Sequence, residues 1–318
     1  GSSDQTVQAQ ADTEEVQANS DAAVRQPLKG KSDTDKIAAM TAGWHEDANG
    51  KWYQNTDGTY FSNGFQDIDG VTYSFDENGY IQTGWVEKGV KDYYFNEDGS
   101  YDPSKVRPML ALTFDDGPGS QTGKILDILK KNHVKATFFV TGKEDASSKK
   151  IYQRIVKEGH TLAMHSYSHI QDVIYDSKEA FEKDLKQINR CLYEATGVHT
   201  KFYRFPGGSS TQNTSLPIQN FIDVLKKNHY LYLDWNVISP DINNANATKE
   251  QVVTGVMQGV DAYDTAVVLM YDVADKPMTV KALPSIIKQI KAKNYELLPV
   301  DESMILIQHN NGNQEEGK

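Results

Sequence analysis

A single cysteine, Cys191, occurs in 318 residues. No disulfide can close within the chain, and no cysteine-based zinc site can be built. Cys191 falls in an amphipathic helical pattern and reads as a small buried apolar group. No run approaches the roughly 20 apolar residues of a membrane span. Positive charge is not in excess: 33 Lys and Arg face 44 Asp and Glu, a net of −11. That balance argues against binding to a nucleic-acid backbone. No signal peptide is visible, but the chain opens Gly1-Ser2-Ser3 without a Met, so neither a signal nor an anchor is excluded. Residues 1–41 hold no aromatic residue. They are rich in Ala, Gln, Asp, Ser and Thr and are expected to form a disordered leader or linker.

What is present is unevenly placed. Hydrophobic residues make up 38% of the chain, so most of it can fold around a core. The first 100 residues hold 7 of the basic and 18 of the acidic residues, so the whole charge imbalance lies there. Such a split points to two regions with different tasks.

Residues 42–102 are expected to form a module of their own. Within 44–101 lie 14 of the 32 aromatic residues and three of the four Trp. Gly43-Trp44, Gly64-Phe65 and Gly84-Trp85 recur at intervals of 21 and 20 residues, and so do Trp52-Tyr53, Thr72-Tyr73 and Tyr93-Tyr94 at 20 and 21. Asp57-Gly58, Asn78-Gly79 and Asp98-Gly99 follow the same period and signal tight turns. A fixed period near 20 indicates stacked repeats, here one β-hairpin each, in a small solenoid-like array. These repeats resemble the choline-binding and cell-wall-binding repeats of Gram-positive surface proteins. The resemblance implies aromatic cages that hold choline by cation–π attraction, with Trp44, Trp52, Tyr60, Trp85 and Tyr93 as candidates. The same aromatics must also hold the array together, and a spacer or glycan-contacting role is the alternative.

From about residue 103 to 308 strands and helices alternate. Strands are expected at Met109–Phe114, Ala136–Val140, Thr161–Met164, Lys201–Phe205, Tyr230–Trp235, Ala266–Met270 and Tyr295–Val300. Helices are expected at Gly123–Lys131, Lys149–Glu158, Ser177–Glu194, Leu216–Lys227, Lys249–Gln258 and Val280–Lys293. The pattern predicts an α/β fold, either a parallel sheet or a βα-barrel. In such folds active residues gather at the C-terminal ends of strands. His133, His160, His199 and His229 lie outside any motif and are expected at the surface or its boundary. Residues 309–318 read as a flexible tail.

Five strand ends carry polar or aromatic residues suited to a site. The first runs into Asp115-Asp116-Gly117-Pro118. The third runs into His165-Ser166-Tyr167-Ser168-His169, whose two imidazoles can aim at one point. Then come Arg204-Phe205-Pro206-Gly207-Gly208, Asp234-Trp235 and Tyr271-Asp272. The zincin motif is absent, because no Glu follows His165.

The strings TFDDGP (113–118), HSYSH (165–169), RFPGG (204–208), DW (234–235) and LMYD (269–272) resemble the polysaccharide deacetylases of carbohydrate esterase family 4, the NodB type. The resemblance covers roughly residues 106–300. It implies an irregular (β/α) barrel that removes acetyl groups from glycans with a divalent metal, Zn first, with Co, Ni or Mn as alternatives. Position by position it implies Asp116, His165 and His169 as metal ligands, Asp115 as general base and Arg204 as the residue orienting that base. It implies Gly207, beside Pro206, as the oxyanion position, and Trp235 and Leu269 as the apolar wall around the acetyl methyl.

The last motif departs from the family. Where the family has a general-acid His this chain has Tyr271, a phenol with an ordinary pKa near 10. Asp234 matches the residue that pairs with that His, and Leu231 stands at the first Asp of the fourth motif. The implied substrate is cell-wall glycan, first the N-acetyl groups of peptidoglycan. The alternatives are O-deacetylation of the acetylxylan esterase kind, chitooligosaccharide deacetylation, or an impaired, glycan-binding wall protein. The resemblance also implies an extracellular or cell-surface place of the Gram-positive type, and contact with wall polymer or teichoic acid through the repeats.

Overall fold

The computed structural model describes residues 21–25, 41–88, 91–302, 304 and 306–311. They divide into two compact units between Val106 and Arg107.

The first unit holds β1 (Ala23–Arg25), β2 (Gly43–Asp47), β3 (Gly50–Gln54), β4 (Tyr60–Ser62), β5 (Gly64–Ile68), β6 (Val71–Phe75), β7 (Gly84–Lys88) and β8 (Lys91–Phe95). Antiparallel pairs β2–β3, β5–β6 and β7–β8 are the three hairpins that the sequence period predicts. Aromatic rings tie each hairpin to the next: Trp44 meets Tyr73 at 4.7 Å, and Phe65 meets Tyr93 and Phe95 at 5.1 Å. The expected Asp-Gly and Asn-Gly turns follow the three hairpins rather than closing them, and each spans its own antiparallel pairing: Gln54 with Tyr60, Phe75 with Ile81 and Phe95 with Tyr101. Gly58 and Gly99 sit there at φ 85° and 88°, and Asp57 and Asp98 accept from Thr59 N and Ser100 N. Part of the expected leader is also ordered, because β1 pairs antiparallel with β4. Residues 1–20 and 26–40, the rest of that leader, lie outside the described residues.

The second unit alternates β9 (Met109–Asp115), α1 (Thr122–Lys131), β10 (Thr137–Val140), α2 (Ala146–Lys157), β11 (Thr161–Met164), α3 (Gln171–Ile174) and α4 (Lys178–Thr196). Then come β12 (Phe202–Tyr203), α5 (Gln219–Lys227), β13 (Leu231–Tyr232), β14 (Val237–Ile238), α6 (Lys249–Val260), β15 (Thr265–Tyr271), α7 (Met278–Ala292) and β16 (Glu296–Leu297). All seven residues of β9 are buried, as in a strand covered on both faces. The long helix α4 begins where Ser177 caps Ala180 N at 3.0 Å and ends at Gly197 with φ 73°, as expected.

The strands pair in parallel in the order β13-β12-β11-β10-β9-β15-β14, with β16 also on β9. Seven strands laid flat would put the two edges about 29 Å apart. Only residues 233–236 separate the edge strands β13 and β14, and that stretch spans at most about 18 Å. The sheet is therefore curled into a partial barrel, in agreement with the expected (β/α) fold. Sequence pattern missed β14, a two-residue strand at Val237–Ile238. His160 also departs from expectation, being 6% exposed and packed edge-on against Phe138. Residues 309–311, expected to fray, are tied in: His309 N donates to Asp234 Oδ2 at 2.9 Å and Asn310 N to Ser209 Oγ at 2.9 Å.

Candidate active site and metal centre

Parallel pairing brings the ends of β9, β10, β11, β12 and β15 to one rim of the curled sheet. Asp115 ends β9 and lies in register with Tyr271, the last residue of β15. His165 directly follows β11, Arg204 follows β12, and Asp234 and Trp235 follow β13.

Asp116, His165 and His169 converge. Their ligand atoms lie within 4.8 Å of one another. Asp116 Oδ1 is 3.2 Å from His165 Nε2 and 3.3 Å from His169 Nε2, and the two imidazole nitrogens are 3.2 Å apart. That carboxylate oxygen is buried and makes no hydrogen bond of sound geometry. A buried charge without a partner is costly, and a divalent cation between one carboxylate and two imidazoles would meet the need. The donor set therefore fits the implied metal. Burial alone would raise the Asp116 pKa, but the two imidazoles hold it well below the usual carboxylate range.

Asp115 is 2% exposed. Its Oδ1 accepts from Arg204 Nη1 at 2.8 Å, and its Oδ2 faces His165 Nε2 at 3.6 Å. Burial raises its pKa, while Arg204 and His165 pull the other way. A carboxylate raised by burial takes up a proton more readily, which suits a general base. Arg204 is fully buried and spreads its fork over Asp115, Thr113 Oγ1 (2.8 Å), the Leu233 carbonyl (3.0 Å) and the Asp234 carbonyl (2.8 Å). Its guanidinium lies 4.0 Å above the Phe139 ring.

Gly207 and Gly208 both have φ near +80°, a conformation side chains resist. A Cβ on Gly208 would also come within 2.8 Å of the Trp235 ring. Gly207 is exposed, and its N–H has no partner among the described residues. The carbonyl of Pro206 is held by Tyr175 Oη at 2.8 Å. Leu269 is 2% exposed within β15, and Trp235 is half-buried with His309 edge-on at 4.9 Å.

The Asp234 expectation needs correction. Its carboxylate accepts from Ser209 N, Ser209 Oγ and His309 N, and not from position 271. The Tyr271 phenol is pushed up to about 12, first by burial and then by Asp115 and Asp116. His309 is also engaged, with Nε2 2.7 Å from the Trp235 carbonyl.

The proposed repeat cage is not one constellation. Trp52 and Tyr93 are 2% and 7% exposed and serve the packing of their own unit. The Tyr60 ring lies against Gly79. Of the five, Trp44 and Trp85, at 40% and 39% exposure, present the most ring surface.

Two supporting residues escaped the sequence reading. Thr113 shares strand parity with Asp115 and holds Arg204. Asp184 on α4 is 6% exposed, on the same face as Phe181, Leu185 and Ile188. Its Oδ1 accepts from Ser166 Oγ (2.7 Å) and Tyr167 N (3.0 Å), and its Oδ2 from Ser168 N (3.0 Å). A carboxylate on the apolar stripe of a helix was the signal that could have found it.

Known proteins similar to this chain include polysaccharide deacetylases. The sequence profile of the polysaccharide deacetylase family matches residues 102–229, a span that takes in Asp115, Asp116, both His and Arg204 but not Tyr271. YheN of Bacillus subtilis, provisionally named a polysaccharide deacetylase, is 34% identical over 200 residues, covering 61% of this chain and 67% of that protein. The peptidoglycan-N-acetylglucosamine deacetylase PgdA of Listeria monocytogenes is 31% identical over 206 residues, covering 63% of this chain but 39% of the relative. The crystal structure of the catalytic domain of peptidoglycan N-acetylglucosamine deacetylase from Eubacterium rectale superposes with a TM-score of 0.61 at 35% identity. That match covers 72% of this chain and 97% of that domain.

Proposed function

The chain belongs to the polysaccharide deacetylase family, and we propose that it removes N-acetyl groups from the glycan of peptidoglycan at the Asp115–Asp116–His165–His169 site. The observation that carries this is the convergence of Asp116, His165 and His169 beside a buried Asp115 held by Arg204. Asp116, His165 and His169 would hold a divalent cation, Zn first, which would supply Lewis-acid polarisation of the acetyl carbonyl.

The chain's own residues do the rest. Asp115 Oδ2 faces the cluster and takes a proton from the water that attacks the carbonyl carbon. Arg204 keeps that carboxylate in one orientation through Oδ1. The unpartnered Gly207 N–H donates to the carbonyl oxygen as negative charge develops on it. Trp235 and Leu269 exclude water around the methyl. The leaving amine needs a proton, and Tyr271, with its pKa near 12, gives one up poorly.

That weakness favours a second reading, deacetylation of O-acetyl esters, because without a proton donor an alkoxide leaves more readily than an amine anion. Exposed Trp44 and Trp85 support contact of the hairpins with a wall polymer, teichoic acid among them, at the outside of a Gram-positive-type cell.

Acetate release from N-acetylated wall glycan and from acetylated xylan, with Zn²⁺ or Co²⁺ added and with chelator, tests the reading. Release should fall at least about 100-fold in Asp115→Asn. Release confined to xylan would move the activity to esters. Release that persists in Asp115→Asn, or in chelator, would refute the site assignment.

A further inference from the structure

We propose that Asp184 is a positioning residue for the metal site: through Ser166 it sets the backbone of His169 and so the aim of that imidazole. The proposal rests on the reading of Asp116, His165 and His169 as metal ligands.

The loop between the two histidines is strained. Ser166 and His169 have φ of 74° and 55°, left-handed values that L-residues adopt at a cost. Something must over-determine such a conformation. The hydroxyl of Ser166 donates to Asp184 Oδ1 at 2.7 Å and accepts from His169 N at 3.0 Å. The N–H groups of Tyr167 and Ser168 close on the two carboxylate oxygens at 3.0 Å. The polypeptide thus wraps one carboxylate, and a single hydroxyl passes the constraint to the backbone of a ligand.

The two histidines are not anchored alike. His165 has its own support, since its Nδ1 lies 2.8 Å from the Arg204 carbonyl. His169 has no comparable side-chain anchor among the described residues, and its side chain is 32% exposed against 3% for His165. Loss of Asp184 should therefore fall on His169. Outer residues that orient metal ligands are commonly worth about 10–100-fold in metal affinity.

The test is Co²⁺ binding to the full chain, followed by calorimetry and by the visible absorption of the bound ion, with circular dichroism to verify the fold. Asp184→Asn keeps the shape but turns one acceptor into a donor that faces an N–H. We expect it to fold, to bind Co²⁺ about 10–100-fold more weakly and to shift the absorption bands. Ser166→Ala should weaken binding too, and the double variant should be no worse than the weaker single, because both act along one path. A folded Asp184→Asn with wild-type affinity and spectrum overturns the proposal. Should that variant fail to fold, Ser166→Ala decides: wild-type Co²⁺ binding there overturns it equally. If the wild-type chain binds no Co²⁺, the metal reading itself is what fails.

Discussion

His165 and Arg204 are joined through one carbonyl: His165 Nδ1 donates to the Arg204 oxygen at 2.8 Å. A carbonyl only accepts, so Nδ1 carries a proton, and Nε2 is the ring nitrogen turned toward Asp116, 3.2 Å from its Oδ1. The side chain of the same Arg204 holds Asp115 at 2.8 Å. One residue therefore anchors the His165 ring with its backbone and orients the Asp115 carboxylate with its fork.

Arg204→Lys should show this. Lysine keeps the charge but cannot reach Asp115, Thr113 and two carbonyls at once. Each buried carbonyl left unpaired costs about 1–3 kcal/mol. We expect a lower urea midpoint and acetate release reduced at least about 100-fold. Wild-type release in this variant would show that orientation of Asp115 does not limit the rate.

Tyr271→His should raise activity on the N-acetyl substrate. Replacing a phenol raised to about 12 with an imidazole near 6.5 restores an acid usable at neutral pH. A gain of at least about tenfold on the amide, with little change on an ester, is expected from the usual worth of a general acid. Equal kcat for both proteins on the amide would mean that protonation of the leaving group is supplied elsewhere.

His160 makes stability depend on pH. Burial, aided by Lys135, lowers its pKa to about 4 from 6.5, and its Nδ1 accepts from Ala136 N at 3.0 Å. The unfolded chain binds the proton more readily, so this contribution is complete above pH 6.5 and is lost as pH falls toward 4. The difference in urea stability between wild type and His160→Gln should shrink by roughly 2–3 kcal/mol over that window. A difference independent of pH would show that the ring binds its proton equally well in the folded and unfolded chain.

In the hairpin unit, burial separates two kinds of Trp. Trp52→Ala should cost about 3–5 kcal/mol, as for other large core truncations, and should lower the melting temperature of that unit. Trp44→Ala and Trp85→Ala should cost much less. They should instead weaken sedimentation with purified walls if the exposed rings contact polymer. Unchanged sedimentation in the double variant would remove the binding role.

The strings of the candidate site were legible because each is local. Asp115-Asp116, His165 with His169 and Arg204 each stand at the end of a short apolar run, where strand–helix alternation places active residues. The 20-residue period likewise marked three hairpins, since every repeat carries the same Gly-aromatic start. Where contacts join distant segments, no such pattern exists. The partners of Asp234 come from residues 209 and 309, and the strand beside Tyr60–Ser62 comes from residues 23–25.

The sequence by itself determined which groups this protein can bring to a reaction: carboxylates, imidazoles and a guanidinium at strand ends, with a phenol where an imidazole would serve better. Tertiary structure alone decided how those groups are held. It placed the Asp184 carboxylate under the histidine loop, gave Asp234 to Ser209 and His309, and raised the Tyr271 pKa. Residue type and spacing are written along the chain, whereas burial and hydrogen-bond partnership depend on which remote segments share the same small volume.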